Sequence, residues 1–229
     1  MSSTIGVALV LAASVCSTAG AQSETIYETQ FFDPAQAASE WEFPIGATEV
    51  TEDGYTAAFT PGAFTVTLDG APNARFYPAF GNPGIAALPA NQAVEARIAS
   101  SSGDPSALFG VACRAALEPQ TVGYFFLVGA DGYYAIGRYD GRGNAKAIVN
   151  VKGSKRTDAV DPFSFNIVRG ECAGKKKVRL TLFVNGEKVV STVDTSPPKK
   201  LGSNALIVTE VAEGETATTE FTGFAAHAL

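Results

Sequence analysis

One histidine stands among 229 residues, and it is His227, close to the C-terminal Leu229. A Ser-His-Asp triad or a histidine-rich metal site therefore has almost nothing to be built from. Charge is scarce as well: Asp, Glu, Lys and Arg make up 17% of the chain, and the balance is −6 at neutral pH. A nucleic-acid partner is excluded on that ground, because its binders need a clustered basic face. The basic triplet Lys175-Lys176-Lys177 lies beside an expected turn and reads as a solvated loop. No expected strand carries a series of carboxylates on one face: Glu210 is alone in its strand, and Glu213 and Glu215 flank Gly214 in an expected turn. Beyond the first twenty-odd residues, no run is long and apolar enough to cross a bilayer.

The opening residues read as an export signal. Ile5 to Val15 is apolar but too short to span, and Ala19-Gly20-Ala21 supplies the small residues of a cleavage site. No Lys or Arg precedes the apolar run, so the terminal amine supplies the positive charge. Lipidation at Cys16 is disfavoured by the bulky Val15 before it. The expectation is a signal peptide over residues 1–21 and a mature chain from Gln22, secreted or held in the cell envelope without membrane insertion. Export leaves Cys113 and Cys172 as an even pair in an oxidising compartment. A bridge between them closes a loop of roughly 60 residues and contributes about 4 kcal/mol on the chain-entropy model. Two buried free thiols are the alternative. Two cysteines without a histidine cluster do not make a zinc site.

What the mature chain has in quantity is short apolar runs of period two, with 23 glycines and 12 prolines to punctuate them. Phe109 to Arg114, Gly123 to Tyr139, Phe165 to Cys172 and Val178 to Val190 are the clearest. Asp131-Gly132 and Asn185-Gly186 break two of them with dipeptides that tolerate the positive φ of a tight hairpin. Gly54 to Thr60 and Ala63 to Asp69 are separated by the turn pair Pro61-Gly62, and Ala74 to Phe80 carries an internal proline that marks an edge strand or loop. Ala93 to Ser100 alternates, with Val94, Ala96 and Ile98 on one face and Glu95 and Arg97 on the other. Ala205 to Val211 and Thr218 to Ala226 close the chain. No segment holds a 3.6-residue apolar period. The pattern is all-β, an antiparallel sandwich or jelly roll over residues 22–229, with no composition shift to mark a second domain.

On these residues the chain resembles secreted bacterial jelly-roll domains of the concanavalin A-like lectin/glucanase type, related to laminin-G-like domains and to the DUF1080 (3-keto-disaccharide hydrolase) domain. The shared features are Phe32-Asp33-Pro34 leading to Trp41, the strand Gly110 to Arg114 and the hairpin Tyr124 to Ile136. Glu171-Cys172 and Leu182 to Gly186 complete them. The glucanase branch of that group uses carboxylates spaced E-x-D-x-x-E along one strand, which this chain lacks. Its closing strand often carries an aspartate between two phenylalanines, where Phe221-Thr222-Gly223-Phe224 has none.

The reading that follows is a non-catalytic module that recognises an extracellular or cell-envelope glycan. A structural or protein-interaction module is the alternative, with another extracellular protein as its partner, and a glycoside-active hydrolase comes third. If Cys113 and Cys172 point into the core, alternation turns Arg114, Arg169, Glu171 and Phe183 outward. Guanidinium and carboxylate groups suit sugar hydroxyls, and an aromatic ring suits the apolar face of a sugar. Tyr124 and Arg138 complete the candidate set, although hairpin tyrosines serve equally as packing, and opposed Arg and Glu serve equally as surface ion pairs. No cofactor is expected; calcium is a weak candidate at Asp140 and Asn144, where a plain turn is the simpler reading.

Overall fold

The computed structural model describes residues 23–41, 47–52, 54–70, 75–76, 87–116, 121–142, 145–150, 155–162 and 164–229. The expected export signal, Gln22 and Asn144 lie outside them. The first strands are β1 (Glu24–Thr29), β2 (Glu49–Glu52), β3 (Tyr55–Thr60), β4 (Ala63–Leu68) and β5 (Arg75–Phe76). Then come β6 (Gln92–Gly103), β7 (Leu108–Ala116), β8 (Val122–Gly129), β9 (Tyr134–Asp140) and β10 (Ala145–Val149). The last five are β11 (Asn166–Ala173), β12 (Val178–Val184), β13 (Glu187–Asp194), β14 (Asn204–Glu210) and β15 (Ala217–Ala228).

Among the described residues these strands form two antiparallel sheets. The larger runs β13-β12-β11-β6-β15-β4-β3-β2, with β1 on the second half of β15, and the smaller runs β10-β9-β8-β7-β14-β5. Alternation explains the packing. Val168 and Cys172 on β11, and Val178, Leu180, Leu182 and Val184 on β12, are wholly buried between the sheets, while their neighbours Ile167, Arg169, Glu171 and Phe183 are half-buried on the outside. From the smaller sheet Phe109, Val111, Tyr124, Phe126 and Ile136 meet them. The all-β jelly-roll expectation holds.

Turn chemistry sets the registers. Asn185 and Gly186, at φ 51° and 81°, join β12 to β13 in a two-residue turn with Val184 opposite Glu187. Asp131-Gly132 turns less tightly: Val128 pairs with Tyr134 across a longer connection, and Gly132 carries the positive φ. Arg75–Phe76 is an edge strand on β14, as the nearby proline requires.

The sequence pattern missed the short strands β2 and β10 and the helix α1 (Pro34–Glu40). Asp33 caps it by accepting from the N–H groups of Ala35 and Gln36, and Pro34 takes the first turn, where its missing N–H costs nothing. Seven residues, about two turns, are too few for a visible apolar period. The helix delivers Trp41 into an aromatic cluster, 5.1 Å from Phe224 and 5.6 Å from Phe64 between ring centroids.

Candidate functional site

One end of the sandwich gathers the ends of β7, β9, β11 and β13 and the start of β14. Cys113 of the smaller sheet is bonded to Cys172 of the larger one there. Cys113, Tyr124 and Arg138 sit side by side on β7, β8 and β9. Tyr124 is fully buried and donates its O–H to Asp194 Oδ2 at 3.0 Å; Arg138 reaches the same carboxylate and the carbonyl of Ser196. Burial first, then the Asp194 contact, pushes the Tyr124 hydroxyl well above its ordinary range.

Arg114 departs from the expected outward orientation. A bulge between Cys113 and Ala116 places it at φ 52°, so the strict alternation of β7 ends at the cysteine. Its side chain turns in under the rim, 3% exposed, and donates to the carbonyls of Ala90 and Gly174, while its N–H goes to Gln92 Oε1. Tyr124 likewise faces the core rather than a ligand. Arg138 bridges the two sheets. These three expected site residues are committed to the fold.

Beside them lies a cavity of about 640 Å³, within the range of small-molecule sites. Ala116, Val122 and Leu201 form its half-buried apolar part, and Pro197-Pro198 runs along one wall. Arg142, Lys199 and Lys200 are exposed at its mouth. Two loops shape it. The Ser196 N–H binds Asp194 Oδ1 at 2.9 Å and the Gly202 N–H binds the Arg114 carbonyl at 3.0 Å, so both ends of the Pro-Pro-Lys-Lys segment are held. A Cβ on Gly202 would lie 1.8 Å from the Ala115 carbonyl oxygen, so glycine is required for that approach. In the other loop Asp140 Oδ1 accepts from the Arg142 N–H at 2.8 Å. That bond engages one oxygen of the expected calcium pair, whose other member, Asn144, lies outside the described residues. Among those residues no three His, Cys, Asp or Glu groups cluster as for a metal ion.

The outer face of the smaller sheet adjoins the cavity through Val122. It is apolar: Ala112, Leu127, Leu206 and Val208 are buried, with Phe125 packed against them. Phe125 lies over Gly137, whose added Cβ would sit 2.1 Å from the ring, and pairs with Tyr139 at 5.4 Å between centroids. Asp140 is the carboxylate among the described residues that line the cavity.

Arg169, Glu171 and Phe183 come together elsewhere, on the outer face of the larger sheet. Arg169 holds Glu171 at 3.0 Å, and on the next strands Arg97 contacts Glu28 at 3.3 Å and Glu95 at 3.6 Å. The face is a lattice of mutual ion pairs. His227 belongs to it, 3.1 Å from Thr25 Oγ1; burial first, then the positive charge of Arg169, lowers its ring pKa against the opposing pull of Glu95 and Glu28.

Sequence reasoning missed Arg142, Lys199, Lys200, Phe125 and Tyr139. The Pro197-Pro198-Lys199-Lys200 run was a usable signal: two stiff residues before two cations, between strands, mark an ordered rim loop. The meeting of that loop with Arg142 had no signal in the chain order.

The fold is shared with known proteins. A prokaryotic β-1,3-1,4-glucanase (lichenase) from a mouse hindgut metagenome superposes with a TM-score of 0.53 at 12% identity, covering 89% of this chain and 99% of that one. A non-specific endo-β-1,3(4)-glucanase of family GH16 gives 0.52 at 12%, covering 91% and 92%. An endo-β-1,4-glucuronan lyase from the fungus Trichoderma reesei gives 0.52 at 9%, covering 79% and 90%. No protein-family model and no curated protein sequence matches the chain. At such identities the likeness is one of fold.

Proposed function

We propose that the mature chain is an exported, non-catalytic saccharide-recognition module that seats its ligand in the end cavity, with the Phe125–Tyr139 pair beside it. The observation that carries this reading is the cavity itself. Its apolar part suits the C–H face of a sugar ring, and its charged mouth suits hydroxyl groups. Loops held by the Gly202–Arg114 and Ser196–Asp194 hydrogen bonds keep it open before any ligand arrives.

Binding is favoured over hydrolysis by the carboxylate count. Glycoside hydrolysis usually needs two carboxyl groups across the scissile bond, and the described lining supplies Asp140 alone. The outward positions of β7, β8 and β14 nearest it are Ala112, Phe125 and Leu206, and the outward carboxylate of β14, Glu210, lies at the far end of that strand opposite Leu108. The Cys113–Cys172 bridge supports export, since such bonds persist in oxidising compartments. The concanavalin A-like resemblance enters on the same footing, as an affinity of scaffold.

A thermal-shift screen of the chain from Gln22 tests the reading. Oligosaccharide panels are run with calcium and with chelator, which also tests the Asp140 turn. A saturable rise in melting temperature with one saccharide class, reduced by Tyr139→Ala, is expected, because a ligand of the folded state stabilises it. A flat response to every saccharide sinks the reading and favours a protein-interaction module. Release of reducing ends from a bound oligosaccharide turns it into a hydrolase.

A further inference from the structure

A saccharide in the end cavity meets an uneven charge pattern. Among the described residues Arg97, Arg138, Arg156 and Arg169 each have a carboxylate partner. Acids outnumber bases in this chain, 23 to 17, so a cation finds an acid easily. Arg142, Lys199 and Lys200, like exposed Lys175, Lys176, Lys177 and Arg179, lack such a partner among the described residues, but these three line one concavity. All three are exposed at one mouth, and none is in an ion pair among the described residues. One carboxylate, Asp140, lies at that wall with an oxygen accepting from the Arg142 backbone N–H, so three cations face one acid among the described lining residues. Grouping three unpaired cations round one concavity raises the local potential at the point where a ligand enters.

The backbone fixes this grouping. Ser196 and Gly202 are anchored, and the consecutive prolines between them restrict the path that presents Lys199 and Lys200. Gly141, at φ 75°, turns Arg142 back toward them, with its N–H bound to the Thr121 carbonyl at 3.1 Å. We propose, on the premise that the cavity is a saccharide site, that its ligand is an anionic saccharide bearing a carboxylate or a sulfate ester. The guanidinium fork of Arg142 fits either oxyanion with two parallel hydrogen bonds, and the two lysines act as point charges beside it. The apolar wall of Val122 and Leu201 takes the ring. The negative charge on the rest of the molecule is screened at that distance, because attraction falls off within a Debye length of about 10 Å at 0.1 M salt. The attraction is therefore local and does not extend to a long polyanion lying across the surface.

Calorimetric titration of the mature chain with three tetrasaccharides tests this: neutral galactan, galacturonate and sulfated carrageenan. Each is run at low and at physiological salt. At least one anionic tetrasaccharide is expected to bind about tenfold tighter than galactan at low salt, with the advantage shrinking as salt rises. Which of the two binds separates carboxylate from sulfate. Lys199→Ala with Lys200→Ala, and separately Arg142→Ala, should each remove most of that advantage, while Lys188→Ala on the β13 edge leaves it unchanged. These side chains are exposed, so the variants fold. Galactan binding as tightly as both anionic ligands overturns the charge assignment and leaves the saccharide site standing. Anionic binding indifferent to the cavity variants overturns it by locating the ligand elsewhere. No binding by any of the three, with the wider panel also silent, removes the saccharide site and this assignment together.

Discussion

Arg114 ties three segments with one side chain: the Ala90 and Gly174 carbonyls accept from its guanidinium, and Gln92 Oε1 accepts from its N–H. Its carbonyl in turn holds Gly202 and so one wall of the cavity. Truncating it takes a charged donor from the carbonyls of exposed Ala90 and half-buried Gly174, and a hydrogen bond to a charged group contributes about 1.5–3 kcal/mol. Arg114→Ala should therefore lower the unfolding free energy by about 3 kcal/mol. The check is the urea midpoint, with an unchanged m-value. A loss within experimental error would mean that water replaces the guanidinium and that Arg114 is not a structural residue. At this scale the chain was partly misleading. The period of two predicts an outward Arg114, and nothing in Cys113-Arg114-Ala115-Ala116 announces the bulge that turns it inward.

At the scale of elements, the two sheets are joined at the cavity end by a covalent link and by polar links, of which Arg114 is one. Cys113 bonds Cys172, 59 positions further along the chain, across the core, and Tyr124 and Arg138 of the smaller sheet converge on Asp194 of the larger. The covalent link acts chiefly on the unfolded chain by closing a long loop. Replacing both cysteines by alanine should cost about 4 kcal/mol on that model. Melting in the presence and absence of reductant reports it: the wild type should lose its margin under reduction, and the double variant should not respond. An unchanged wild-type transition in reductant would show that the bridge contributes little. Elements were well read in the sequence, because turn dipeptides and alternation are local. Asn185-Gly186 gave its hairpin and Val94, Ala96 and Ile98 their buried face. Helix α1 escaped because its signal was a cap, Asp33-Pro34, and not a period.

The whole molecule carries a pH dependence to which Asp194 and His227 both contribute. Burial alone would raise the Asp194 carboxyl, but the Ser196 N–H, Arg138 and Tyr124 outweigh it and hold the carboxyl below its ordinary 3.8. The unfolded chain then takes up that proton first as pH falls, so the stabilisation is complete above 3.8 and is lost below it. The His227 ring also lies below its ordinary value of 6.5, through burial first and Arg169 second. The unfolded chain again binds the proton first, and stability declines as pH drops from 6.5 toward the folded value. Urea midpoints measured from pH 8 to pH 3 should thus fall in two stages. His227→Gln should flatten the stage just below 6.5, and Asp194→Asn the stage below 4, from a lower starting stability because Arg138 loses its partner. A single stage untouched by either variant would refute both assignments.

At this same scale the sequence and the fold divide the work. Alternating apolar runs and glycine-containing turns are short-range features, and they alone determined an all-β chain whose apolar faces have to close on each other as a sandwich. Cys113 and Cys172 were legible as a pair, since each ends a strand at a buried position. The outward set Arg169, Glu171 and Phe183 was legible for the same reason. Only the tertiary structure decided what those residues do with their charge: Glu171 neutralises Arg169 on its own strand, and Arg97 engages Glu28 on a distant one. It also decided the site. Arg142 and Lys199 are far apart in the chain and line one cavity because β9 ends and β14 starts at the same end of the sandwich as the β7 bulge. A cavity made by loops from separate strands has no period and no motif, because its walls are set by sheet order and by close approaches such as Gly202 against Ala115.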